Sequence, residues 1–291
     1  MLRFLVLSPG TEVEQLWLFP SLRSLSQAPA QVDVVVAPTV QSLYSLCPWV
    51  TRVLTYAYGS RNSLTEWINL LGAVRDGYYD AVLLTRPSGN LSFLLWLSGV
   101  RERVGFCGVG QRWLTQVVTP KPEQYPPEYY HDLVAALGIR SACGAMAVQI
   151  PAAALTWAET QQQQLGLTAG YALVVWDEQY PHWEQVVAQL RQQQPDLPLL
   201  VWGEGGAGVP RIMPGDVGQQ AALLAGATLV LVSEAQPLPL QLTVAVQTPV
   251  VALLSAATPR RILPNSDVCI PLQAPTLAEI SPAQVVQALG Q

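Results

Sequence analysis

The chain has 291 residues, a length that suits one large or two ordinary domains, and carries a net charge of −5 at pH 7 with only 12% charged residues. That balance gives no electrostatic footprint for nucleic acid; Lys121 is the only lysine, so a phosphate would have to be met by arginine or backbone N–H groups. Cys47, Cys107, Cys143 and Cys269 form no CxxC pair, and His131 and His182 are the only histidines, which argues against zinc and predicts reduced thiols in a cytosolic protein that holds no metal or other cofactor.

Mean hydropathy is high, +0.27, yet no stretch of about 18 uninterrupted apolar residues exists to read as a membrane span. The apolar runs are short and broken by Gly, Pro or polar residues, as buried parallel strands are. Met1-Leu2-Arg3 leads directly into such a run, without the pattern of a signal peptide.

In chain order, Phe4 to Ser8 reads as a strand. "EVEQLWLFPSLRSLS" follows as a helix with Leu16, Phe19, Leu22 and Leu25 at helical spacing. "VDVVVAP" is a second strand, "VQSLYSLC" a short helix, "RVLTY" a third strand and "LTEWINLLGAVRD" a helix. "DAVLLTR", "LSFLLWLSG" and "ERVGF" continue the alternation as strand, helix and strand. The region from Cys107 to Pro127, rich in Pro, Gln and Trp, reads as a long loop before the helix "YYHDLVAALGI".

After the polar helix "WAETQQQQLGL" a second series begins. Its strands are "YALVVW", "PLLVWG", "ATLVLVSE", "PVVALL" and "DVCIPL"; its helices are "HWEQVVAQLRQQQ", "VGQQAALLAG", "LQLTVAVQ" and "SPAQVVQALG". Strand–helix alternation with continuous apolar strands implies parallel sheets covered on both faces. The expected organisation is an N-terminal Rossmann-like domain over residues 1–150, a linker helix over 151–166 and a second Rossmann-like domain over 167–291. Ligands in such an α/β arrangement bind at the carboxyl ends of the strands.

Several stretches carry a more specific likeness: "LWLFPSLRSL" after the first strand, "YDAVLLTRPSGNLSFLLWLSGVRERVGF", "YYHDLVAALGI", and "QQAALLAGATLVLV" followed by "LTVAVQTPVVALLSAATPRRILP". Together they span most of the chain, which resembles glycosyltransferase family 9, the ADP-heptose lipopolysaccharide heptosyltransferases and their relatives. The resemblance implies the GT-B fold, two facing Rossmann-like domains with parallel sheets, and a nucleotide diphosphate sugar as ligand.

The family's general base is an Asp of a Gly-Asp pair six residues before the Pro of the first helix. Counting back from Pro20 gives Glu14, preceded by Val13, with Glu12 nearby. A carboxylate there would take the acceptor hydroxyl's proton; the alternative is an acidic residue capping a helix dipole. At the family's phosphate-binding Lys this chain has Trp176 or Asp177, with His182 close by. The glycine-rich "GEGGAG", with Gly203 and Gly205, could expose N–H groups to phosphate or be a plain loop. The family's Asp-(Ser/Thr)-Gly-Pro-Met-His loop falls on "VSEAQPLPLQ", with Glu234 at the Asp and Gln241 at the His; the two anchors differ by two residues, so a longer loop is expected. Ser255-Ala256-Ala257 replaces the family's Gly-Pro-Thr, and Thr258 follows; Arg86 or Arg260 would neutralise phosphate.

Two functions are weighed. One is sugar transfer from a nucleotide diphosphate sugar to a glycan or lipid-linked acceptor, using Glu14 or Glu12 as base. The other is a catalytically degenerate GT-B scaffold serving as an interaction subunit. Nine Trp, 24 Pro and few charges fit a surface covered by a protein partner, a larger assembly or the cytoplasmic face of a membrane.

Overall fold

The computed structural model describes residues 1–27, 29–59, 63–167, 170–266 and 268–289. Asp267 in the expected strand "DVCIPL" and Gly290 in the expected last helix lie outside them. The chain divides into two compact units, Met1–Met146 and Ala147–Gln291.

The first unit is a parallel sheet of β1 (Leu2–Ser8), β2 (Ala30–Val36), β3 (Arg52–Thr55), β4 (Ala81–Leu84), β5 (Glu102–Phe106) and β6 (Gln116–Val118), in the order β3-β2-β1-β4-β5-β6. Its helices are α1 (Glu12–Ser26), α2 (Leu64–Asp76), α3 (Gly89–Ser98) and α4 (Pro126–Ala136). α1 packs with α4, and α2 with α3. The strands are apolar on both faces because both are covered: Leu5 and Leu7 of β1 and Val82 and Leu84 of β4 join α2 and α3 in one core.

The second unit repeats the plan. Helix α5 (Ala152–Gln164) precedes β7 (Ala172–Val175), α6 (Trp183–Gln193), β8 (Leu199–Trp202), β9 (Arg211–Ile212) and α7 (Val217–Gly226). Then come β10 (Leu229–Ser233), α8 (Pro237–Ala245), β11 (Val250–Ser255), β12 (Cys269–Ala274) and α9 (Pro282–Ala288). The parallel order is β12-β11-β10-β7-β8-β9. Both units therefore have the doubly wound order, whose direction reverses between β1 and β4 in the first and between β7 and β10 in the second. The helix expected as a linker, α5, packs on α7 through Ala154, Ala158 and Ala222.

The structure corrects four expectations. The segment Cys107–Pro127 is not loop throughout, since it contains β6; β9 is likewise an added edge strand. Both are two or three residues long, too short for an alternation to register. "VQSLYSLC" forms, up to Leu46, part of a 3₁₀ segment, Pro38–Leu46, rather than an α-helix, and Cys47 caps it. The fourth concerns "VSEAQPLPLQ": α8 starts at Pro237, not at Leu240, so the loop after β10 is only Glu234 to Gln236 and is short. Pro237 and Pro239 both sit in the first helical turn, where an N–H has no intrahelical acceptor and proline is tolerated.

The glycine-rich loop after β8 has a packing cause. Trp176, at the end of β7, lies against it: a Cβ on Gly205 would be 1.9 Å from Trp176 Cε2, and one on Gly203 2.8 Å from Trp176 Cβ. Gly203, Gly206 and Gly208 also have positive φ, 138°, 78° and 73°. Gly205→Ala is expected to destabilise the protein by about 1–3 kcal/mol in urea unfolding through overpacking. Adding Trp176→Ala is expected to remove most of that increment; equal costs in both backgrounds would refute the packing account.

Candidate functional site

In each unit the place for a ligand is the carboxyl edge of the strands at the reversal point. In the first unit this is the end of β1 and the end of β4. Thr11 caps α1 in a capping box: its backbone N–H donates to Glu14 Oε2 at 2.7 Å, and its side chain accepts from the Glu14 N–H. The other oxygen, Oε1, accepts from the Arg86 guanidinium at 2.5 Å. The Glu14 side chain is 17% exposed and Arg86 53%. The hydrogen bond to Glu14 is the main cause holding the Arg86 pKa above its ordinary value. Tyr129 and Tyr130 stand close enough to feel this pair, and burial raises both phenols. Both Glu14 oxygens are thus engaged, and Arg86 is paired with Glu14. Glu12 is half-buried in the same turn and makes no hydrogen bond or ion pair among the described residues.

Beneath them the strand ends are tied together. Buried Gln15 donates to the Ser8 carbonyl at 3.2 Å and accepts from the Tyr44 hydroxyl at 2.7 Å. The Thr85 hydroxyl reaches the Leu7 carbonyl, 3.2 Å, and Ser8 Oγ, 3.3 Å.

In the second unit the reversal point is held by Asp177, which is 7% exposed. Its Oδ1 accepts from the N–H groups of Gln179 and Tyr180, at 2.7 and 3.0 Å. Its Oδ2 accepts from Trp183 Nε1 at 3.2 Å and Ser233 Oγ at 2.7 Å. This residue, one of the two at the position of the family's Lys, turns its carboxylate inward and joins the end of β7 to α6 and β10. Ser233 was not singled out from the sequence. The Asp177 turn leaves a trace there, because an Asp ahead of a helix commonly accepts from N–H groups two and three residues on. His182 reaches the Ala278 carbonyl, 3.0 Å from its Nε2.

Glu234 is also turned to neighbouring protein. Its Oε2 accepts from the Ser255 N–H at 2.7 Å. Partial burial pushes its carboxyl up, but hydrogen bonds from the Ser255 and Thr258 side chains and the Ser255 N–H outweigh that and leave its pKa below the ordinary value. The structure therefore brings Glu234, Ser255 and Thr258 together. Gln241, 1% exposed, donates from its Nε2 to the Ile262 carbonyl at 3.2 Å and ties α8 to the 3₁₀ turn Arg260–Ile262. Arg260 is exposed on that turn beside a cleft of about 920 Å³ shared with Arg261, Asn265 and Ser266. Gly203 and Gly205 lie under Trp176 at the end of β8, and the Gly206 N–H donates to Glu184 at 3.3 Å.

The backbone of the short loop is equally engaged. A helix N-terminus at this position would normally offer N–H groups to an anion. Here the N–H groups of Glu234, Ala235 and Gln236 donate to the Leu253 carbonyl, Ser233 Oγ and the Ser233 carbonyl. Pro237 and Pro239 have none. Leu238 is left as the one N–H between Glu234 and Pro239 with no internal bond among the described residues.

The sequence matches no protein-family model and no curated protein. Solved structures do match. A glycosyl transferase family 9 protein from Veillonella parvula aligns over 99% of this chain and 96% of its own, with a TM-score of 0.85 at 15% identity. E. coli ADP-heptose lipopolysaccharide heptosyltransferase II aligns over 99% and 98%, TM-score 0.77, at 16% identity. The E. coli heptosyltransferase WaaC, solved with ADP, aligns over 99% of each chain, TM-score 0.75, at 18% identity. With its two doubly wound parallel sheets, this chain is built on the GT-B fold of the family 9 heptosyltransferases.

Proposed function

We propose that this chain is a GT-B scaffold that works through its surface, as an interaction subunit, and does not transfer sugar. The carrying observation is the loop after β10. Of the backbone groups from Glu234 to Pro239, three N–H are engaged internally and two are absent because the residue is proline, so the helix terminus offers a diphosphate almost nothing. The side chains agree. Asp177 is enclosed by four donors, Glu234 is bound to Ser255, and Glu14 is shared between Arg86 and the cap of α1.

A second reading, transfer from a nucleotide diphosphate sugar, is favoured by one specific feature. Glu14 keeps a partly exposed carboxylate just beyond β1, at the reversal point of the first unit. One structural neighbour binds ADP and another structure of that enzyme holds ADP-2-deoxy-2-fluoro heptose, so an ADP-sugar is the natural probe. Calorimetric titration of the full chain with an ADP-sugar decides between the readings. The scaffold reading expects no saturable heat up to millimolar ligand; saturable binding together with product formation that is lost in Glu14→Gln would establish transfer.

Two substitutions test the internal roles. Asp177→Ala leaves two N–H groups, an indole and a hydroxyl without their acceptor and is expected to cost at least ~3 kcal/mol in denaturant unfolding. An unchanged stability would mean that the carboxylate is free for a ligand. For Glu234 the depressed pKa fixes the sign: its contribution is present above the ordinary carboxylate range and is lost as pH falls through the lower folded value. Thermal melts across pH 2 to 7, a window chosen around the usual carboxylate pKa, should therefore show a shallower acid limb for Glu234→Gln than for the parent chain.

A further inference from the structure

The first unit carries an apolar surface that the candidate site does not use. α3 has no charged residue, although Phe93 and Trp96 face solvent at 36% and 46% exposure. A helix without a polar face is normally covered. Next to it on α2, Leu64 and Ile68 are one turn apart and 73% and 52% exposed, and Val109 stands 74% exposed beside the start of α3. Aromatic rings join these into one patch: Phe93 lies 6.4 Å from Trp67, 5.8 Å from Trp96 and 5.2 Å from Trp113, centroid to centroid.

The edge of the patch is basic. Arg112 stacks on the Trp113 ring, Arg75 donates to the Leu97 carbonyl at the end of α3, and Arg101 follows that helix. The nearby acids are Glu66, held in the cap of α2, Glu102, within reach of Thr115 and Gln116, and exposed Asp76. Charge also separates by unit. Residues 1–146 hold 11 Lys and Arg against 10 Asp and Glu, whereas residues 147–291 hold 4 against 10. Only the first unit lacks the excess negative charge that an anionic surface would repel. A second copy would have to meet this arginine edge with the same face, whose acids Glu66 and Glu102 are already engaged, which disfavours self-pairing.

From protruding Leu, Ile, Phe and Val side chains, interfacial Trp and an arginine edge, we infer that this face docks on an anionic lipid surface, with Leu64, Phe93, Trp96 and Val109 entering the headgroup boundary. This names the surface that the scaffold reading leaves open and rests on that reading for its role. Lipid binding and nucleotide binding are measured separately, so either can fail alone.

The experiment is flotation of the full chain with phosphatidylcholine vesicles, with and without about one-third phosphatidylglycerol. The parent chain is expected to float with the anionic vesicles, and less so at high salt. Leu64→Ser, Trp96→Ser and Val109→Ser combined, all at exposed positions, should weaken partition by roughly tenfold or more while circular dichroism and melting stay as in the parent. Arg112→Glu should weaken only the anionic component. No flotation at low salt, flotation untouched by the triple substitution, or a dimer in sedimentation that the triple substitution dissociates would each overturn the proposal.

Discussion

The Asp177 carboxylate is the interaction on which the second unit's ligand edge depends. In a doubly wound sheet the two strands at the reversal point part their connections to opposite faces, and the gap so formed is where a ligand enters. Here that gap is bridged from inside. Asp177 at the end of β7 accepts from Ser233 at the end of β10, from Trp183 at the start of α6 and from two N–H groups of the turn before that helix. A buried carboxylate is stable only when its oxygens are this well satisfied. Once it is held there, Trp176 settles on the glycine loop and the polar groups around it are committed to one another.

The first unit reaches a related state by a weaker device. Glu14 is at once the N3 residue of a capping box and the partner of Arg86. Arg86 is half exposed, so this pair is screened and adds little to stability. Its consequence is geometric: both carboxylate oxygens are already engaged, one by the Thr11 N–H and one by the Arg86 guanidinium. The two units therefore differ in how firmly these strand edges are engaged, buried and four-fold in one, partly exposed and two-fold in the other.

What the fold does not need for its own stability is as informative. The sheets are covered on both faces without help from Phe93, Trp96, Leu64 or Val109, which nonetheless cluster, and which form part of a patch edged by arginine. A contiguous apolar patch of this kind, rimmed by charge, is what interaction surfaces present.

By itself the sequence determined the α/β class and most of the element order, because buried parallel strands are continuous apolar runs and their helices carry a 3.6 period, both local signals; the GT-B likeness came from the resemblance of longer stretches to family 9. Its candidate site residues Glu14, Glu234 and Gln241 lie in the first turn of α1, in the loop after β10 and within α8. It did not reveal β6 or β9, which are too short for a period, nor that Pro237 and Pro239 open α8. Only the tertiary structure decided where each polar group points. Asp177, which with Trp176 stands at the position of the family's Lys, bonds to Ser233, 56 residues on; Gln241, at the position of the family's His, holds the Ile262 carbonyl. The physical reason is that a side chain's partners are set by which strand ends meet in the sheet, and those meetings join residues whose separation along the chain carries no periodic trace.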